Sequence, residues 1–181
     1  MGRNKLVETV RSEPLVKHAV DAAVASRLDP VVVVTGHEPE AIQSALAGAP
    51  VTIVHNPEFE DGLSASLRAG VAAVPADCEG AMILLGDMPG ISPVLIDRLI
   101  AAFDPAGGRA ICVAVAGDRR GHPVLWARSF FPEIMALEGD TGARQLLQTH
   151  AGQLIEIESV DDAPLTDIDT PEALAAYRLN R

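Results

Sequence analysis

Ala81-Met82-Ile83-Leu84-Leu85-Gly86-Asp87-Met88-Pro89-Gly90 is the stretch on which the reading of the fold turns. Its apolar run is too short for an independent helix and ends in Gly, Asp and a Pro-Gly pair, so it reads as a strand buried on both faces. Asp87 then stands at the strand's carboxyl end. In an open α/β sheet the ligand crevice opens there, and a carboxylate in that place can hold a hard cation beside a phosphate. A turn aspartate bonding its own backbone explains the residue equally well, and this stretch does not separate the two.

Upstream, the chain alternates between strand and helix patterns. Ser12 is placed to cap a helix with Glu13 and Pro14 in its first turn, and Leu15, Val16, Ala19, Val20, Ala23 and Val24 form one apolar face. Val31 to Val34 is a β-branched run closed by Thr35-Gly36, Pro39 to Leu46 reads as a short helix, and Val51 to Val54 as a third strand. Thr35-Gly36-His37 lacks the G-x-G-x-x-G spacing of a dinucleotide loop. The segment His55 to Leu67 is polar and leads into a small-residue helix to about Val74. Within it, Gly62 allows close backbone approach to a ligand, and the hydroxyls of Ser64 and Ser66 with the amides of a helix start can bond a base, ribose or phosphate. An ordinary capped helix start is the plainer alternative.

Downstream, Ser92-Pro93 opens a helix to Phe103, and Ala110 to Ala116 is the next strand. Arg119 and Arg120, followed by Gly121-His122-Pro123, form either a solvated hairpin tip, which the sequence favours, or an anion-facing loop. Glu138 to Arg144 is a flexible, charged lead into a helix ending at His150, and Leu154 to Ile157 is a late strand. Asp167 and Asp169 are two residues apart, so an extended backbone puts both carboxylates on one face ahead of a helix begun by Thr170-Pro171. The alternation predicts an α/β fold with a parallel sheet and right-handed crossovers.

With 181 residues, 48% of them hydrophobic, the chain is long enough for one well-buried domain over 1–181. A formal net charge of −11 opposes nucleic acid and anionic membranes as partners. Cys78 and Cys112 are too few for a disulfide framework, and with no leader or spanning segment a cytoplasmic protein is expected. The histidines at 18, 37, 55, 122 and 150 have no metal-ligand spacing. Neither a serine elbow nor a Walker loop is present.

Taken in order, Gly2-x-x-Lys5, Pro14-Leu15, Gly62-x-Ser64-x-Ser66-Leu67, Gly86-Asp87-Met88-Pro89, Arg120-Gly121-His122-Pro123, Gly139-Asp140-x-Gly142-Ala143-Arg144 and Asp167-Ile168-Asp169-Thr170-Pro171 resemble the MobA-like nucleotidyltransferases. Within that family the chain looks most like the molybdenum cofactor cytidylyltransferases. The family opens with a strand and a signature L-A-A-G-x-S-x-R-M-G-x-x-K, of which this chain carries only the end, so the first strand and most of the glycine-rich loop are expected to be absent.

The resemblance implies a three-layer α/β/α, nucleotide-diphospho-sugar-transferase-like Rossmann-type fold with a mostly parallel, mixed sheet. It implies transfer of CMP from CTP to the phosphate of molybdopterin or molybdenum cofactor, with release of pyrophosphate. Mg²⁺ would be held by Asp87, Asp167 and Asp169, with Lys5 and Asp87 catalytic. Lys5, Gly62, Ser64, Ser66, Gly86 and Asp87 would bind the nucleotide, and Arg120, Gly121, His122, Asp140, Gly142 and Arg144 the pterin phosphate. A molybdenum hydroxylase or its maturation factor would be the onward partner. The alternatives are a cofactor-binding insertion partner without catalysis and a MobA-like oxidoreductase.

Overall fold

The computed structural model describes residues 4–179, and Gly2 of the Gly2-x-x-Lys5 segment lies outside them. The described chain opens with a hairpin of β1 (Thr9–Val10) and β2 (Glu13–Pro14), whose turn holds Arg11 and Ser12 at φ of 49° and 73°. A left-handed Ser12 cannot cap a helix, so α1 (Leu15–Val24) starts two residues later than its sequence predicts, with Pro14 as its N-cap. Its buried face, Leu15, Val16, Ala19, Val20 and Ala23, follows the expected spacing.

Next come β3 (Val32–Thr35), α2 (Pro39–Ala45), β4 (Thr52–His55) and α3 (Leu63–Ala72), with β3 and β4 paired in parallel. Then follow β5 (Gly80–Ile83), α4 (Pro93–Ala102), β6 (Ile111–Ala116), β7 (Arg119–Ala127), α5 (Phe131–Met135), α6 (Arg144–Thr149), β8 (Leu154–Glu158) and α7 (Pro171–Leu179). Both expected caps form: the Ser92 hydroxyl accepts from Leu95 N at 3.3 Å, and the Thr170 hydroxyl from Ala173 N at 3.0 Å.

A second sheet has the order β5-β7-β6-β8, in which β7 runs antiparallel to both neighbours while β6 and β8 are parallel. The sheet is therefore mixed, as expected from the resemblance, and β6–β7 is the hairpin that Gly117 implies. All of β6 is buried, and its side chains alternate between two cores. Ile111, Val113 and Val115 join Trp126, Phe130 and Ile134 beneath α3, α5 and α6. Cys112 and Ala114 join Ile96, Leu99 and Leu125 beneath α4. Helices on both faces give the three layers. Burial pushes the Cys112 thiol up to about 11, which removes it as a nucleophile.

The strand expected to be buried on both faces is the exception. β5 ends at Ile83, and every residue from Gly80 to Gly86 is only half-buried. Its one paired edge meets β7, while the other lines an apolar slot across from β3. Among the described residues, no helix is long and apolar enough to cross a membrane.

Candidate active site

The carboxyl end of β5 turns at Gly86-Asp87, and the backbone there is tied to the late acidic segment: Ile168 N donates to Asp87 O at 3.0 Å. Ile168 is buried with Val10, Leu15 and Leu174, so its flanking carboxylates are fixed by an apolar anchor between them. From the other side comes a single helical turn, Lys5–Val7, capped by Asn4, whose side chain accepts from Leu6 N at 3.1 Å. This turn delivers Lys5. Its Nζ donates to Asp87 Oδ2 at 2.7 Å and also to Asp169. Residues 82 and 164 positions apart from Lys5 thus converge on one ammonium.

The electrostatics follow from these bonds. Partial burial pulls the Lys5 pKa down, but hydrogen bonds to Asp169 and Asp87 and their charges prevail and raise it above the ordinary lysine range. The Lys5 bond, then that of Asp167, hold the Asp169 carboxyl below its usual value. Burial, then the same bond to Asp169, hold the Asp167 carboxyl above its usual value. Asp87 Oδ1 is buried with no hydrogen-bond partner.

That orphaned oxygen is a test of fit for a cation. A carboxylate desolvated on one oxygen, beside a second carboxylate already holding a positive group, suits Mg²⁺, which takes one or two protein carboxylates and completes its shell from phosphates and water. Among the described residues, no group of three or more His, Cys, Asp or Glu side chains is arranged as a ready metal cage.

Other expected site residues are placed differently. Gly62 does approach another backbone closely, but within the protein: at φ 96°, a Cβ there would lie 2.5 Å from Asp140 Oδ1 and 2.8 Å from Gly139 C. Leu63 N donates to Asp140 Oδ1 at 3.2 Å, and Gly142 packs on Leu63, so the expected nucleotide and pterin segments meet at the start of α3. Ser64 is fully buried, accepting from Arg68 at 3.3 Å. Ser66 is half-buried and accepts from Asn56 Nδ2 at 3.3 Å. Arg120 already has a partner, donating to Glu156 at 2.7 Å, and Arg144 is exposed at the head of α6. Gly121 packs directly on Pro164.

His122 lies on β7 beside Ile83, with Nδ1 3.4 Å from its carbonyl oxygen. Burial lowers its pKa, against the raising effects of the Ile83 carbonyl and the Asp87 charge. The unfolded chain therefore binds a proton that the folded chain refuses between the lowered value and ~6.5. Its contribution to stability is present above pH ~6.5 and is lost as the pH falls toward the folded value, with a slope of at most ~1.4 kcal/mol per pH unit. Thermal melts between pH 7.5 and 5.5 should show this slope, and His122→Gln should flatten it. An unchanged slope in the variant would mean that His122 does not titrate against folding.

Sequence reading missed Asn56 and Arg68. Asn56 is 3% exposed, accepts from Glu58 N at 3.0 Å and organises the loop into α3. A polar residue just past the end of the third strand, after His55, is its only signal. Arg68 donates to Leu137 O at 2.7 Å and locks α3 to the segment before Asp140; nothing local marks it.

Lys5, Asp87 and Asp169 meet at the carboxyl end of β5, in a mixed sheet covered by helices on both faces. The chain belongs to the MobA-like NTP transferase domain family, whose model matches residues 1–154. It is 32% identical to purine catabolism protein PucB of Bacillus subtilis over 95% of this chain and 86% of that protein. It is 29% identical to nicotine blue oxidoreductase of Paenarthrobacter nicotinovorans over 99% of this chain and 89% of that one. Identity is also 29% to the molybdenum cofactor cytidylyltransferase of Escherichia coli K12, over 78% of this chain and 70% of the relative. Among solved structures, Rv0371c of Mycobacterium tuberculosis superposes with a TM-score of 0.87 at 26% identity, covering 99% of this chain and 91% of that one.

Proposed function

We infer that the protein transfers CMP from CTP to the terminal phosphate of molybdopterin or molybdenum cofactor and releases pyrophosphate. The observation that carries this reading is the Lys5 ammonium held between Asp87 and Asp169, with Asp87 Oδ1 left unpartnered. An ammonium in that place marks a point of negative potential suited to a cation, and the lysine itself is a phosphate-binding group within reach of it. The choice of cytidine and of a pterin acceptor is supported by the Escherichia coli relative and by the Gly86-Asp87-Met88-Pro89 wording.

In the reaction, an oxygen of the pterin phosphate attacks the α-phosphorus of CTP in line, and the bond to the β-phosphate oxygen breaks. Such a displacement needs positioning and charge neutralisation more than a protein nucleophile. Asp87 and Asp169, with Asp167 alongside, would hold Mg²⁺, which supplies charge neutralisation on the phosphate oxygens. Lys5, freed from the carboxylates, turns to the β- or γ-phosphate and meets the charge of the leaving pyrophosphate. Gly86 gives the triphosphate backbone access beside Asp87. Ser66 faces the ribose and base, and His122 and Arg144 the pterin side.

Pyrophosphate release measured with each nucleotide, with and without molybdopterin, tests this reading. CTP should exceed GTP by at least ~100-fold in kcat/KM, because a site whose buried polar groups match a one-ring base leaves them unpaired against guanine. Equal turnover of both would overturn the base assignment, and pterin binding without pyrophosphate release would indicate a carrier. The nicotine blue oxidoreductase relative spans nearly the whole chain and favours one second reading. NAD(P)H consumption with no nucleotide transfer would establish that reading instead.

A further inference from the structure

Asp169 leads at once into α7, and the far end of that helix holds the chain behind Lys5. Leu174, Tyr177 and Arg178 stand at i, i+3 and i+4, so they share one face of α7. Leu174 is buried with Ile168, Val10 and Leu15, which seats this face on the β1–β2 hairpin. Tyr177 packs against the same cluster, and the guanidinium of Arg11, in the turn of the hairpin, lies 5.3 Å from its ring centroid. Arg178 reaches the base of the hairpin. Its Nε donates to Thr9 O at 2.8 Å, its Nη2 donates to the same oxygen, and Glu8 Oε2 lies 3.7 Å from Nη2.

Thr9 O needs such a donor. Leu15 N donates to Glu8 O at 2.9 Å, and along an antiparallel ladder the backbone groups alternate in direction, so the carbonyl of Thr9 points out of the hairpin. The residue opposite Thr9 is Pro14, which has no N–H to offer. A planar guanidinium with two N–H groups on one carbonyl oxygen fixes that peptide in direction as well as in distance.

The peptide so held continues the turn that delivers Lys5. Glu8 closes that turn, its N donating to Lys5 O at 3.1 Å, and Thr9 follows it in the chain. The Lys5–Val7 turn has no buried residue, so its own packing holds it weakly. Asn4 ties it on one side, through Nδ2 to His37 O at 3.3 Å, and Arg178 ties it on the other. With nine residues, α7 is a strut ~13 Å long that follows one acceptor of the ammonium at its head and anchors the ammonium's own backbone at its tail. It also bears on the other acceptor: a Cβ on Gly90, in the loop that leaves Asp87, would lie 3.9 Å from Tyr177 Oη.

We propose that Arg178 is a positioning residue for Lys5: through Thr9 O it locks the chain behind the Lys5 turn to the helix that follows Asp169, and so sets where the ammonium can reach. Its effect on turnover rests on the CMP-transfer reading, in which Lys5 passes from the two carboxylates to the leaving pyrophosphate. A four-carbon stem covers a limited range about its Cα, and a misplacement of about 1 Å costs up to about 100-fold in rate. The place of the ammonium in the resting protein does not depend on that reading.

Lys5 and Lys17 are the two lysines of the chain, so NMR with isotope-labelled lysine observes the ammonium directly. Lys5 Nζ, held by two carboxylates, should exchange its protons with water more slowly than Lys17 Nζ, held by Asp21 on the exposed face of α1. Arg178→Gln, at a side chain 43% exposed, should keep the melting midpoint within ~3 °C of wild type, speed the Lys5 exchange by at least ~5-fold and leave that of Lys17 unchanged. It should lower kcat for pyrophosphate release by at least ~10-fold with KM for CTP within ~3-fold, the mark of an interaction made in the transition state. Arg178→Lys keeps a charged donor and should recover most of both losses. Arg98→Gln removes an arginine bond to another backbone carbonyl, Glu158 O at 2.8 Å, and should change neither reading. Lys5 exchange unchanged by Arg178→Gln overturns the proposal. So does failure of that variant to fold, or an equal loss in Arg98→Gln, since each makes the role one of general stability. Absence of pyrophosphate release from the wild-type protein would sink the CMP-transfer reading alone, and the ammonium measurement would still decide the positioning.

Discussion

Asp87→Asn is expected to lower Mg²⁺-dependent CTP turnover by at least ~100-fold, a loss of ~2.7 kcal/mol in transition-state stabilisation, with little change in the melting midpoint. The side chain is 17% exposed and accepts from Lys5 through one oxygen while the other is buried without a partner. Asparagine keeps the volume and the bond from Lys5 but removes the negative charge that a divalent cation needs. It also leaves Lys5 biased toward Asp169, which remains charged. The fold does not depend on that charge, since the bond tying this turn to Ile168 uses the Asp87 carbonyl, not its side chain. Wild-type turnover at saturating Mg²⁺ would remove Asp87 from the metal site. A collapse of the melting midpoint would instead make its role structural.

Gly121→Val should destabilise the protein by ~1–3 kcal/mol and, separately, weaken Mn²⁺ binding by at least ~10-fold in the molecules that remain folded. A Cβ at Gly121 would lie 1.9 Å from Pro164 O and 2.6 Å from Pro164 C, and backbone cannot yield as a side-chain tip can. The turn Ala163–Leu165 must move off β7, and two residues later the chain reaches Asp167. The Ile168–Asp87 backbone bond and the burial of Ile168 oppose the shift, so the cost divides between lost packing and displaced carboxylates. Calorimetry with Mn²⁺ at a temperature where the variant is fully folded separates the two. Normal affinity there would show that the acidic segment holds its place independently of β7.

Where local chemistry dictates structure, the sequence was a sufficient guide. The Ser92 and Thr170 caps, the β-branched strands near Val32 and Ile111, and the Gly117 turn all formed because their signals lie within a few residues of their effects. Ser12 failed as a cap because the β1–β2 hairpin, a pairing between neighbours, required its left-handed backbone. β5 ran short of its apolar run because burial on both faces and both edges depends on which strands lie beside it, and no residue of 81–85 encodes that.

The same limit governs the site. Asp87, at a strand end, and Asp167 with Asp169, two apart, could be picked out by position and period. That Lys5 joins them is a tertiary fact. Gly62 reads as a place where the backbone approaches a ligand closely, but what lies against it is Gly139-Asp140, from a segment far along the chain. Arg120 looked free to bind an anion until β8 placed Glu156 beside it, through the register of β6 with both strands.

The mass of the product formed from CTP and molybdopterin with Mg²⁺ and the purified protein decides whether the protein transfers CMP. A pterin whose phosphate carries one CMP should form in step with one pyrophosphate and be absent with Asp87→Asn. Bound but unmodified molybdopterin, with CTP intact, would contradict it.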